Sequence, residues 1–167
     1  MNLYLKNVIL ALAIILLAGI LTLGLDHYFK SERGEFFILE KGKTVPDFEF
    51  DGQSLHDIKA ERVIIHFWAS WCAPCVVEFP ELIKLAEKDK NTVIIAFSSD
   101  RHPTIIDRFL DQHDFKIPDN FKIVWDKKGQ ITRDKFSVFR LPESFVLDGD
   151  FIVKNHIIGA YEGWTSF

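Results

Sequence analysis

Two cysteines are the whole thiol content of this 167-residue chain, and both lie in Trp71-Cys72-Ala73-Pro74-Cys75. At this spacing they can close a small disulfide ring or offer two thiolates to one metal. Their surroundings favour the first. Arg62 to Ala69 (RVIIHFWA) is almost continuously β-branched and aromatic, the pattern of a parallel strand covered on both faces, and Ala73 to Lys90 reads as a helix. A C-x-x-C where a buried strand meets a helix puts the first sulfur among unpaired backbone N–H groups and the positive end of the helix dipole. Cys72 is therefore expected to be the attacking thiolate, acidified from about 8.5 into the range of about 3.5 to 7.5. Cys75, one turn inward, is expected to resolve the mixed disulfide by closing the Cys72–Cys75 bond. Pro74 has no N–H and suits a first turn; with Ala73 it sets how well donors reach the sulfur. Two zinc ligands or two inert thiols are the alternative, but zinc takes about four ligands and no second C-x-x-C or paired-histidine spacing completes the set. No metal and no cofactor are expected beyond the redox-active cysteine pair itself.

The elements that must hold this motif alternate. Thr92 to Ser99 reads as a second buried strand, Pro103 to His113 as a helix with proline in its first turn, and Phe121 to Trp125 as a short strand. Asp126 to Gly129 is a turn signal, Ile131 to Phe136 a short helix, and Ser144–Leu147 with Phe151–Ile158 a hairpin across Asp148-Gly149. Upstream, Phe36–Leu39 and Val45–Phe50 suggest short extended segments around a Glu40–Lys43 turn. The sum is an α/β fold around a mixed sheet, without internal repeats. Trp68 and Trp125 are expected in the core, and Trp71, beside Cys72, as an exposed substrate platform.

The amino terminus differs from the rest. Val8 to Leu25 (VILALAIILLAGILTLGL) carries no charge and, as a helix with Leu3–Leu5, is long enough for about 30 Å of hydrocarbon. It is expected to anchor the chain over residues 1–25, with 26–35 as a polar tether and 36–167 as the folded domain. A cleaved signal peptide is the competing reading, although the apolar core exceeds the usual length of about 7 to 15 residues. Basic residues on both sides leave the orientation open by charge. The composition, 48% hydrophobic and 26% charged with six prolines, nine glycines and two cysteines, excludes a disordered, collagenous or disulfide-stapled chain. A net charge of −4 gives no general attraction to phosphate backbones, so nucleic acid is not an expected partner.

The segment VIIHFWASWCAPCVVEFPEL resembles the active site of membrane-anchored, thioredoxin-like thiol:disulfide oxidoreductases of the TlpA, ResA and DsbE type. The likeness extends through GKTVPDFEFDGQSLHDIKAERV upstream and VWDKKGQITRDKFSVFRLPESFVLDGDFIVKNHIIG downstream, about Lys43 to Gly159. It implies a thioredoxin-like fold, a mixed central sheet flanked by helices, with an N-terminal transmembrane helix and a periplasmic or extracytoplasmic catalytic domain. It further implies reduction of exported disulfides such as the haem-binding cysteines of apocytochrome c, with electrons from a membrane-embedded thiol transporter. Ala73-Pro74 resembles the spacer of reducing relatives; an oxidase or isomerase is the alternative within this chemistry. Outside it, the alternative is a copper-binding or redox-sensing thioredoxin-fold module.

Residue by residue, Pro142 matches the family's cis-proline, and the Leu141 backbone beside it is expected to pair with an extended substrate as an added strand, with Glu143 also at the substrate. Glu78 matches the acid of C-x-x-C-x-x-E-F-P and shares a helix face with Cys75; buried, it would exchange protons with that thiol, and solvated it would be an ordinary helix carboxylate. Pro80 is expected to kink this helix. His66 departs from the family, whose members carry aspartate or asparagine there. It lies on the strand face beneath the cysteine-bearing helix, either as a group titrating between about pH 5 and 8 near Cys75 or as a core histidine bonded to a backbone carbonyl. After Tyr161 only the beginning of a closing helix is legible, with Thr165 or Ser166 as its N-cap, which would leave one sheet face less well covered.

Overall fold

The structure, a computed structural model, describes residues 3–32, 37 and 39–166, with side chains in the first helix described at 6–7 and 9–25. The chain divides into two units, Met1–Glu35 and Phe36–Phe167. The first is one helix, α1 (Leu3–Glu32), whose described apolar side chains between Ile9 and Leu25 are exposed. Among the described residues no helix is long and apolar enough to cross a membrane; the side chain of Val8, where the expected span begins, lies outside them. The helix also runs on through the first part of the expected tether, and positions 33–36 lie outside the described residues.

The second unit contains β1 (Glu49–Phe50), β2 (Gln53–Ser54), β3 (Arg62–Trp68), α2 (Ala73–Lys88), β4 (Thr92–Ser98), α3 (Pro103–His113), β5 (Phe121–Trp125), β6 (Glu143–Asp148) and β7 (Val153–Ile158). Five strands make one sheet in the order β5-β4-β3-β6-β7. β3, β4 and β5 are parallel, while β6 runs antiparallel to both β3 and β7. β3 is central and apolar on both faces because both are covered. Val63, Ile65 and Phe67 join Ile95, Phe97, Phe145 and Leu147 against the incoming segment of Val45, Phe48, Phe50 and Leu55. Ile64 and Trp68 face the other way, packing with Ile94, Ala96 and Val146 under Phe79, Leu82 and Phe109 of the helices. Each such fully buried side chain contributes about 1.5–3 kcal/mol. The site therefore rests on a strand held from both sides.

Two local expectations are corrected. Regular strand over Val45–Phe50 is limited to Glu49–Phe50, paired with Gln53–Ser54 across Asp51-Gly52, while Val45 N–H donates to the Phe151 carbonyl at 2.9 Å beside a Thr44–Ile152 bridge. Both turn residues have positive φ (45° and 75°), the Asp-Gly hairpin geometry, while the Asp47 carboxylate accepts from Ser54 Oγ and His56 N and turns the chain away. The short helix near Ile131–Phe136 is one wide turn over Gln130–Lys135, its start held by the Asp126 carboxylate on the N–H groups of Ile131 and Thr132. At the end of the described chain, a single 3₁₀ turn, Trp164–Ser166, stands where a closing helix was expected to begin. Its fully buried Trp164 packs into the same apolar cluster as Phe79 and Leu82 of α2.

Candidate active site

Cys72 is the N-cap of α2: its backbone is extended (φ −90°, ψ 101°), and its Sγ accepts from the Cys75 backbone N–H at 3.4 Å. The strand ends because Cys72 N–H turns back to the Ala69 carbonyl at 3.1 Å, and the helix starts with Val76 N–H on the Cys72 carbonyl at 3.0 Å. Pro74 stands in the first turn, where an N–H would have no intrahelical acceptor. The two cysteines are joined as a disulfide. Cys72 is 6% exposed and Cys75 0%, so an incoming thiolate reaches Cys72 and the leaving sulfur is Cys75. Among the described residues no group of three or more His, Cys, Asp or Glu side chains is placed to hold a metal ion.

The approach to Cys72 is shaped by three segments. Trp71 is 68% exposed, as expected of a platform beside the attacking sulfur. The loop carrying it is tied to the end of β4 by the buried Asp100 carboxylate, which accepts from Ser70 N at 3.0 Å, Ser70 Oγ at 2.7 Å and Ser98 Oγ at 2.7 Å. The Leu141–Pro142 peptide bond is cis, and the Pro142 carbonyl accepts from Gly159 N–H at 2.9 Å. Leu141 packs against the apolar cluster that contains both cysteines and lines one groove with Trp71. Glu143 is a correction: it is buried between Phe67 of β3 and Ile158 of β7, and its carboxylate meets His156 Nε2 at 2.6 Å. The side chain is spent inside the sheet rather than presented to a substrate.

Glu78 follows Cys75 by one turn of α2 and is 3% exposed. Burial raises its carboxyl from the usual range to about 7, against the opposing pull of the Trp164 indole and the Tyr161 backbone. Trp164 Nε1 donates to Glu78 Oε1 at 2.5 Å. This contact was invisible in the sequence: nothing in Tyr161-Glu162-Gly163-Trp164 marks an indole that returns to the cysteine-bearing helix. Pro80 lies inside α2, which remains one helix to Lys88.

His66 corrects a second expectation. It is fully buried on β3 between Ala96 and Ser144, and its Nδ1 lies 2.8 Å from Ser144 Oγ, a hydroxyl rather than a backbone carbonyl. Its Nε2 is buried with no partner among the described residues, and desolvation pushes the imidazole down to about 3. The ring is thus neutral throughout the range where it was expected to titrate. Between about pH 5 and 8 the alkylation profile of reduced Cys72 in His66→Asn is accordingly expected to superimpose on that of the unaltered chain. An inflection near neutrality that vanishes with the histidine would contradict this.

Known proteins place the same features in context. Residues 41–156 match the AhpC/TSA family. The thiol-disulfide oxidoreductase ResA of Bacillus thuringiensis is 34% identical over 165 residues, covering 92% of this chain and 90% of its own. The thioredoxin-like protein YneN of Bacillus subtilis is 30% identical, with 93% and 91% covered. Among solved structures, a candidate thiol:disulfide interchange protein DsbE of Chlorobium tepidum superposes with a TM-score of 0.64 at 31% identity, over 75% of this chain and 89% of its own. With a C-x-x-C at a helix start on a thioredoxin-like sheet, the chain belongs to the AhpC/TSA family and is an enzyme, a thioredoxin-like thiol-disulfide oxidoreductase of the TlpA, ResA and DsbE type.

Proposed function

We propose that this enzyme reduces disulfides of exported proteins, the haem-binding cysteines of apocytochrome c among them, and is held in the bacterial cytoplasmic membrane by α1 with Phe36–Phe167 on the outer side. The observation that carries the reading is the pairing of Cys72 and Cys75 at the start of α2, with only Cys72 reachable and the cis Leu141–Pro142 edge packed on the same cluster. The Cys72 thiolate attacks one sulfur of the substrate disulfide and releases the other as thiolate. Cys75 then gives its proton to Glu78 and attacks Cys72 Sγ; the second substrate sulfur leaves, and two electrons have passed from enzyme to substrate. A membrane-embedded thiol transporter returns the electrons by attacking Cys72, with Glu78 protonating the departing Cys75. The exposed apolar side chains of α1 and the near full-length similarity to ResA support the anchor, and the Ala73-Pro74 spacer supports the reducing direction.

Cys75→Ser in the full chain tests this, because attack by Cys72 then stops at the mixed disulfide. After acid quenching of growing cells, adducts on Cys72 are expected to contain exported proteins, and apocytochrome c if haem maturation is the task. Adducts made solely of cytosolic proteins would overturn the extracytoplasmic placement.

A further inference from the structure

A groove of about 600 Å³ is bounded by Trp71, the residue before Cys72, and by the Ser99–Arg101 turn, the Trp125–Arg133 segment and Val138–Leu141. Its apolar lining comes from Trp71, Trp125, Phe139 and Leu141, and the large ring of Phe139 is 78% exposed. The Trp125 indole is fixed by its bond to the Asp100 carbonyl at 2.8 Å, so this wall is built rather than incidental.

The charge on the groove is uneven. Arg101, Lys127, Lys128 and Arg133 line it, against the two carboxylates of Asp100 and Asp126. Those carboxylates are buried and turned inward: Asp100 onto Ser70 and Ser98, Asp126 onto Ile131 and Thr132. Among the described residues none of the four cations is in an ion pair, while Arg101, Lys127, Lys128 and Arg133 are all exposed. Arg133 instead folds over the loop to the Lys128 carbonyl. Lys128 holds positive φ (64°) before Gly129 (73°), a tight turn that brings both lysines to the rim. The chain as a whole carries a net charge of −4, so this cationic rim is a local feature rather than a consequence of composition.

We infer that this groove is the substrate-docking cleft of the enzyme and takes an extended polypeptide segment with aromatic or aliphatic side chains and carboxylates next to its target disulfide. Trp71, adjacent to Cys72 in the chain, brings the bound segment to that sulfur; the apolar walls take its side chains, and the cations hold its carboxylates. The inference rests on the reductase reading above and adds to it a class of substrate.

The test uses the reduced full chain in detergent micelles and three synthetic peptides with the same intramolecular disulfide, flanked by Glu, Gln or Lys. Each rate is divided by the rate of that peptide with dithiothreitol, which removes intrinsic differences in disulfide reactivity. The Glu peptide is expected to exceed the Lys peptide about tenfold in kcat/KM at low salt, through electrostatic attraction to the rim. The gap should close near 1 M salt, where charges are screened within about 3 Å. Arg101→Glu with Lys128→Glu, which leaves two cations against two carboxylates on the rim, should close the gap between the Glu and Lys peptides. Equal rates for the Glu and Lys peptides with the unaltered chain, the uncharged hydroxyethyl disulfide still being reduced, would overturn the docking inference alone. Failure to reduce even hydroxyethyl disulfide would overturn the reductase reading beneath it.

Discussion

Cys72→Ser is expected to lower disulfide reduction by about 1,000-fold or more, to the rate of the unassisted exchange, because it removes the only sulfur an incoming disulfide can reach. Cys75 cannot stand in, being fully buried beneath the helix start, whereas Cys72 sits at its tip with its sulfur on the Cys75 N–H. Cys75→Ser behaves differently: the first attack survives for one turnover, and the enzyme then accumulates as a mixed disulfide. An insulin-reduction assay reads the first effect, and intact mass under non-reducing conditions reads the second. Neither variant should unfold, since the bond closes a loop of only three residues' separation and so restricts the unfolded chain little. Near-normal multiple turnover by Cys72→Ser would reverse the roles of the two cysteines.

How much of this was legible in the sequence depended on whether a residue's neighbours were near in the chain. The strand from Arg62 and the helix from Ala73 are set by local pattern, and the cysteine junction follows from their order. The cis bond at Leu141–Pro142 was legible only through the family resemblance, because nothing local distinguishes it from an ordinary X–Pro bond. His66 was placed on the correct face by strand alternation, yet its protonation depends on complete burial beside Ser144, a partner 78 positions away. Glu143 misled for the opposite reason: a charged residue beside the proline reads as exposed, while β7 supplies His156 to occupy it. The groove cations are not legible in the sequence because Arg101 and Lys127 to Arg133 come together only when β4 and β5 end side by side.

Glu78 carries the second large effect, and its sign follows from the burial that raises its carboxyl to about 7. In the disulfide form this acid is largely protonated below that value and donates to Cys75 as the donor thiolate displaces it from Cys72. Reduction of the oxidised enzyme, expressed per donor thiolate, is therefore expected to fall as pH rises through about 7. Glu78→Gln should abolish that inflection and slow the step by about 100-fold at pH 6, the order of a lost general acid. Trp164→Phe provides the discriminating companion: it removes the indole donor to Oε1, which opposes the raised value, so the inflection should move upward while the glutamate remains. Stability responds in the same window. A carboxyl raised above its unfolded value of 4.5 binds its proton more tightly when folded, so this group's contribution is intact below about pH 4.5 and is lost as pH climbs through about 7. Glu78→Gln should flatten that part of the stability profile, measured by denaturant titration of the oxidised chain. A rate profile unchanged in Glu78→Gln would remove the carboxyl from the proton path and leave Cys75 to exchange its proton with water.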